Sequence, residues 1–256
     1  MPAKKKNGKA VTATSGGRLP AKIEEGDYAL FHVGADRVKS LVDYNVGNRG
    51  INQTSLDKIT VPGTGVTTWT VETLRGDEEM KEIRGIIVAY REPRARWAES
   101  FDSSGGGTPP DCSSEEGLFG RGDPGGDCSA CEFSRFGSEV RSDGSPGRGQ
   151  ACKQMRTLFV LRSRSLLPTT LVVPPSSLAA VESYFLRLLS EAYEFFSVET
   201  CITLEKDKNR DGIAYSKMAF TVGRELAEDE VNKVEAYAES LKGTFESHQV
   251  FNGEKE

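Results

Sequence analysis

Four cysteines inside one glycine-rich tract constrain this chain more than any other feature. Cys112, Cys128, Cys131 and Cys152 follow the spacing C-x15-C-x2-C-x20-C. They fall within residues 99–155, which also carry glycine clusters at 105–107, 120–127 and 144–149. A loop-rich tract this long inside a domain needs something besides an apolar core to order it. A tetrahedral metal does so, and zinc prefers four soft ligands in a structural site. The C-x2-C pair sets two sulfurs on one tight turn, and Pro109-Pro110 stiffens the approach to Cys112. Four thiolates leave no open coordination position, so the expected Zn2+ is structural rather than catalytic. Unrelated free thiols, a redox C-x2-C pair and an iron–sulfur cluster on the same four ligands are the competing readings. Cys201 is expected to be an inert, packed thiol on the non-core side of its strand.

Composition bounds the rest. The chain has 256 residues, a net charge of −5 and 37% hydrophobic residues, enough for a real core and against an indiscriminately basic nucleic-acid binder. Local charge in a groove is not excluded by that balance. No apolar run approaches the roughly 20 residues a membrane span needs, and the basic N-terminus lacks an apolar secretory core. A cytoplasmic setting follows as the expectation, where clustered thiols bind metal more often than they pair.

The pattern predicts a mainly β chain with helices, an α+β class. Residues 1–20 read as a disordered basic tail, with Lys4, Lys5, Lys6 and Lys9 solvated. Residues 21–98 hold an N-terminal segment, with a short helix in ADRVKSLVDYNVG, and the first strands, 67–74 and 82–92, joined by a polar connection. Whether 21–66 forms a separate lobe stays open. After the cysteine tract, residues 156–249 carry strands at 156–163 and 169–175, then a helix over 177–193 capped by Ser176 or Ser177. A hairpin follows, with its turn at Asp211-Gly212 and with Met218, Phe220 and Val222 facing the core. A C-terminal helix begins at EDEV, its acidic start matching the helix dipole, and 250–256 is a tail.

No catalytic constellation emerges. The two histidines, His32 and His248, are remote from each other and from any ligand at metal-binding spacing. Asp77, Glu78 and Glu79 read as a solvated loop, and DKNRDG as a turn. A non-enzymatic role is therefore expected.

Strands, helix and final hairpin follow the order of an oligonucleotide-binding fold, a small Greek-key barrel. Through CSSEEG, GDCSACEFSRFGS and GQACK, then LLPTTLVVPPSSL and ITLEKDKN with YSKMAF, residues 60–245 resemble the zinc-containing oligonucleotide-binding domains of single-stranded DNA-binding proteins. The C-terminal DNA-binding domain of the large replication protein A subunit is one such domain. The same motifs look like zinc-ribbon proteins of phages and mobile elements. The resemblance implies an OB-like Greek-key barrel with an inserted four-cysteine zinc module, and a part in DNA replication or recombination within a bacterial host cell or its nucleoid.

Single strands are held by aromatic faces that stack bases and by cations that track phosphates. YREPRARW interleaves both kinds as Tyr90, Arg91, Arg94, Arg96 and Trp97. Trp69, Tyr215 and Lys217 extend the expected face, with Arg162, Arg164, Arg148 and Lys153 as further phosphate contacts. The partner is single-stranded DNA, with RNA not distinguished from it. The alternative is an adaptor, whose zinc module docks a replication, recombination or transcription protein.

Overall fold

The computed structural model describes residues 27–33, 35–47, 51, 56–73, 75–98, 109–141, 143–209 and 212–247. The expected tails at 1–20 and 250–256, together with His248 and Asp211, lie outside these residues. The helices are α1 (Ala29–His32), α2 (Ala35–Val46), α3 (Pro175–Ser190), α4 (Glu228–Ser240) and α5 (Lys242–Ser247). The chain is a mixed α+β protein built mostly of strands in several sheets.

The largest sheet has six strands. In spatial order they are β1 (Lys58–Ile59), β11 (Thr169–Val173), β10 (Arg156–Arg162), β4 (Glu82–Arg91), β12 (Val198–Lys208) and β13 (Ala214–Glu225). β1 runs parallel to β11, and every other neighbour pair is antiparallel. β1 and β13 are the two edges, and no closed barrel forms among the described residues.

Both faces of this sheet are covered, which explains the unbroken apolar run LFVL in β10. Side chains alternate across a strand. Leu158 and Val160 therefore join a cluster roofed by α3, through Val181, Tyr184 and Leu188, and by β2 (Trp69–Thr73), through Trp69 and Val71. Phe159 and Leu161 join the opposite cluster, with Leu30, Val38, Val234, Tyr237 and Phe245 from the terminal helices. The second layer accounts for the expected packed thiol at Cys201. It lies on the side away from Ile202, and that side is packed as well, so Cys201 and Glu199 are both buried.

Local chemistry sets the helix ends. α3 opens with Pro175 at its first turn, where a missing N–H costs nothing. Ser177 is not its cap, as the sequence suggests. Its buried hydroxyl accepts a hydrogen bond from the Met218 amide at 3.0 Å and ties the helix to β13. The polar connection after β2 is itself strand β3 (Gly76–Met80), so Asp77, Glu78 and Glu79 sit on an exposed hairpin. Of the residues predicted to face the core from β13, Met218 and Phe220 do so, while Val222 is exposed.

Three buried tyrosines bridge the layers. Tyr28 donates to Glu199 at 2.7 Å, Tyr237 donates to the Leu166 carbonyl at 2.7 Å, and Tyr184 meets Thr200 at 2.9 Å. Burial raises all three hydroxyl pKa values, and for Tyr28 the Glu199 carboxylate raises it further. An unfolded tyrosine ionises near pH 10. Above that pH the unfolded chain releases protons that the folded chain retains. The contribution is fully present below about pH 10 and is lost as pH climbs toward the folded values. Stability is expected to fall by about 1.4 kcal/mol per pH unit for each tyrosine. Urea unfolding at stepped alkaline pH should show a shallower decline for Tyr28→Phe and Tyr237→Phe. Unchanged slopes in both variants would refute this account.

Candidate metal centre and nucleic-acid surface

After β4, Glu92 and Pro93 carry the chain out of the main sheet into a second one. Its order is β8 (Gly126–Asp127), β7 (Phe119–Gly122), β6 (Cys112–Ser114), β5 (Arg94–Arg96) and β9 (Cys152–Gln154), all antiparallel. Met155 donates its amide to the Pro93 carbonyl at 3.0 Å, closing the neck where the chain re-enters at β10. Register brings the distant cysteines together. Arg96 lies opposite Cys112 on one side and opposite Cys152 on the other. Directly opposed residues in antiparallel strands share a face, so both thiols lie on the Arg96 face.

Two glycines make this packing possible. A Cβ on Gly120 would stand 2.9 Å from the Cys112 sulfur, and one on Gly122, at φ 108°, would stand 2.0 Å from the Asp111 carbonyl oxygen. The C-x2-C turn is pinned from behind. Ser134 donates its hydroxyl to the Cys128 and Cys131 carbonyls at 2.8 and 2.7 Å, and the Cys128 amide donates to the Leu118 carbonyl at 3.0 Å. Asp127 accepts from the Ser129 hydroxyl and amide, both at 2.8 Å, and these bonds hold its carboxyl below the usual range. A salt bridge from Lys153 to Glu139 fastens the 139–149 loop to β9 and likewise lowers the Glu139 carboxyl.

All five cysteines are free, and Cys112, Cys128 and Cys152 are buried. Burial pushes the Cys152 thiol up to about 11, the Arg94 guanidinium pulls the other way, and Cys128, Cys112 and Cys131 each push it further up. The four thiols are thus electrostatic neighbours. Their sulfurs are not drawn onto a common point: among the described residues no set of three or more His, Cys, Asp or Glu side chains stands at metal-binding geometry.

The expected nucleic-acid residues do not converge on one surface. Trp69 is wholly buried in the α3-side core and donates its indole N–H to the Ile202 carbonyl at 3.1 Å, so it cannot stack a base. Arg91 is also buried, held by Glu116 and the Phe245 carbonyl, which corrects its reading as a phosphate contact. Tyr90 is partly exposed and meets Phe185 and Phe195 edge-on, with the Arg156 guanidinium 5.0 Å from its ring. Arg94 turns to the thiol face and donates to Gln154 at 3.1 Å. Arg96 covers the Phe133 ring at 4.0 Å. Trp97 is half-buried just beyond β5. Tyr215 and Lys217 stand far off on β13, at 2.9 and 3.7 Å from Asp207. Arg162 is occupied by the Met80 sulfur.

Sequence reasoning missed the aromatic residues of the cysteine module. Phe119 and Arg121 point to one side of β7, and both are exposed. Phe136 is exposed beside the exposed Arg135. Each pair puts an exposed ring and an exposed arginine close together along the chain, the two kinds of side chain that hold a base and its phosphate. The alternation F-x-R in LFGRG carries the signal, masked by the surrounding glycines. Among the described residues no helix is long and apolar enough to cross a membrane. Compared with protein-family models, with curated proteins and with solved structures, the chain matches none.

Proposed function

We propose that this protein binds single-stranded DNA through an opened oligonucleotide-binding plan, with a zinc-stapled four-cysteine module in its first loop. Connectivity carries the reading. β4, β10 and β11 form an antiparallel meander, α3 follows, and the β12–β13 hairpin returns to lie beside β4. That is the order of three strands, helix and two strands in a fold whose barrel is partly open and whose first and last loops grip oligonucleotides. The cysteine module occupies the loop between the first two of these five strands. Cys112, Cys128, Cys131 and Cys152 would hold the ion, and the room at Gly120 and the pinned C-x2-C turn suit that donor set. Bound zinc would contribute cross-linking of the module, not chemistry on a substrate.

Phe119, Arg121, Arg135 and Phe136 are the proposed contacts. The test is fluorescence anisotropy with a labelled unpaired DNA of about 20 nucleotides, longer than the roughly 4–16 one such fold covers. Phe119→Ala and Phe136→Ala should each weaken binding about tenfold, within the 1–3 kcal/mol of a stacked base. Arg121→Ala should reduce the salt dependence. Absence of binding by folded protein at low salt would sink the proposal. An RNA oligonucleotide of the same sequence distinguishes the two nucleic acids.

One observation favours the adaptor reading. Leu118, Phe119, Phe136 and Val140 are all exposed on the module, where residues 109–154 hold eight carboxylates against five cations. Apolar groups displayed on an acidic module suit a protein partner. Recovery of a stoichiometric protein complex free of nucleic acid, lost on Leu118→Ser and Val140→Ser, would decide for it.

A further inference from the structure

The face of β5 that carries the thiols also carries two arginines. Arg96 lies opposite Cys112 and Cys152, and Arg94, two residues earlier on the same face, lies opposite Ser114 and Gln154. Arg96 is occupied, since its guanidinium covers the Phe133 ring and donates to the Asp123 carbonyl at 3.3 Å. Arg94 is only half occupied. Its Nη2 donates to the Gln154 side chain at 3.1 Å, but its Nη1 is buried with no hydrogen-bond partner among the described residues.

The neighbouring arginines show what Arg94 lacks. Arg91 has Glu116 and Arg156 has Glu92, whereas among the described residues no carboxylate pairs with Arg94. Gln154 is neutral, so it answers one donor and none of the charge. A buried donor without an acceptor, on a cation without an anion, is costly. The arginine is also held in place. A Cβ on Gly117 would lie 3.8 Å from its Cγ and Cδ, so the turn between β6 and β7 packs against its stem. The anions this face can supply are the cysteine sulfurs. The Arg94 charge acts on the Cys152 sulfur, as do Cys128, Cys112 and Cys131. Four thiolates around Zn2+ leave two negative charges in excess, inside a module whose thiols are mostly buried.

We infer that Arg94 is a positioning residue of the four-cysteine centre, whose Nη1 donates a charge-assisted hydrogen bond to the Cys152 thiolate and whose charge offsets part of the excess. The inference rests on the zinc reading above and deepens it. Partners of this kind orient the ligands and hold the metal without touching it. A donor on a thiolate also draws electron density from the sulfur, which gives the arrangement a spectroscopic signature apart from its effect on the fold. Gln154 has a part in it too, because its side chain anchors Nη2 and so aims Nη1.

Zinc competition against a chromophoric chelator, on the full chain at one pH, tests the inference. Arg94→Met keeps the stem and removes the charge and the donors, and zinc affinity should fall about 10–100-fold. Arg94→Lys restores a charge and a donor and should bind zinc more tightly than Arg94→Met. With Co2+ in place of zinc, the sulfur-to-metal charge-transfer band of Arg94→Met should move to lower energy, a shift that packing alone does not produce. If Arg94→Met does not fold, Gln154→Leu keeps the charge, removes its anchor and should still weaken zinc binding severalfold. A folded, zinc-binding Arg94→Met chain with unchanged affinity or an unmoved band overturns the inference and leaves the zinc reading standing. An unmodified protein that takes up neither Zn2+ nor Co2+ overturns both.

Discussion

If the proposed zinc is held by the four cysteines, replacing Cys128 and Cys131 together by serine is expected to abolish metal binding and unfold the cysteine module while the six-stranded sheet stays folded. Structural zinc contributes on the order of 10–16 kcal/mol in small zinc modules, so no rearrangement of hydrogen bonds offsets its loss. The module has little else to hold it. Its strands are two to four residues long, and among the described residues the fully buried side chains belong to the main-sheet layers, with Ala95 as the module's contribution. Metal analysis of protein purified under reducing conditions should find one zinc per chain, falling to background in the double variant. Limited proteolysis should then cut within residues 109–154 and leave the remainder intact. Cys201→Ser is the control, since Cys201 lies on β12 of the main sheet, opposite Arg84, and its loss should leave metal content unchanged. Iron with visible charge-transfer absorption would replace zinc by a cluster on the same ligands. Four reactive thiols and no metal in the purified protein would refute the centre altogether.

How far the sequence discloses this molecule depends on which face of a strand is considered. β4, β10, β11, β12, β13 and α3 were all legible, because one side of each repeats at the period its geometry demands. What alternation cannot show is a second cover on the other side. Glu199 and Cys201 carry the residue types of an outward face, and they are buried by neighbours that alternation cannot show: Tyr28 bonds Glu199, and Gly223 of β13 stands against both side chains. Segment 21–66 has weak periodicity, so the part that its described residues Tyr28, Leu30 and Val38 take in that cover could not be read locally. The cysteine module was legible as a unit from spacing alone, whereas its strand register was not. The opposition of Cys112 and Cys152 across Arg96 depends on which residue of YREPRARW leaves the main sheet. Barrel closure was the natural completion of the strand order, but β1 takes the edge of β11.

Trp69 shows why residue type alone misleads at a candidate site, and it yields the second large effect. An aromatic on a strand suits a base-stacking platform and a core anchor equally well. Depth separates the two, and Trp69 is fully buried among Ile59, Ile83, Ile202 and Tyr184. Trp69→Ala should cost about 3–5 kcal/mol through lost burial and the cavity it leaves. Against a typical domain stability of about 5–15 kcal/mol this brings the fold near its margin. The melting temperature should drop by about 10 °C for a protein of this size. Trp69→Phe keeps most of the volume and forfeits the hydrogen bond to Ile202. Its cost should be smaller, with the lost hydrogen bond contributing about 0.5–1.5 kcal/mol. Urea unfolding gives the stability term, and anisotropy on the same samples gives DNA affinity. The buried role requires that Trp69→Phe lowers stability and leaves the affinity of the folded fraction unchanged. A tenfold loss of affinity with no loss of stability would place the indole on the nucleic acid instead, and the packing of β2 beneath α3 would then have to open for binding.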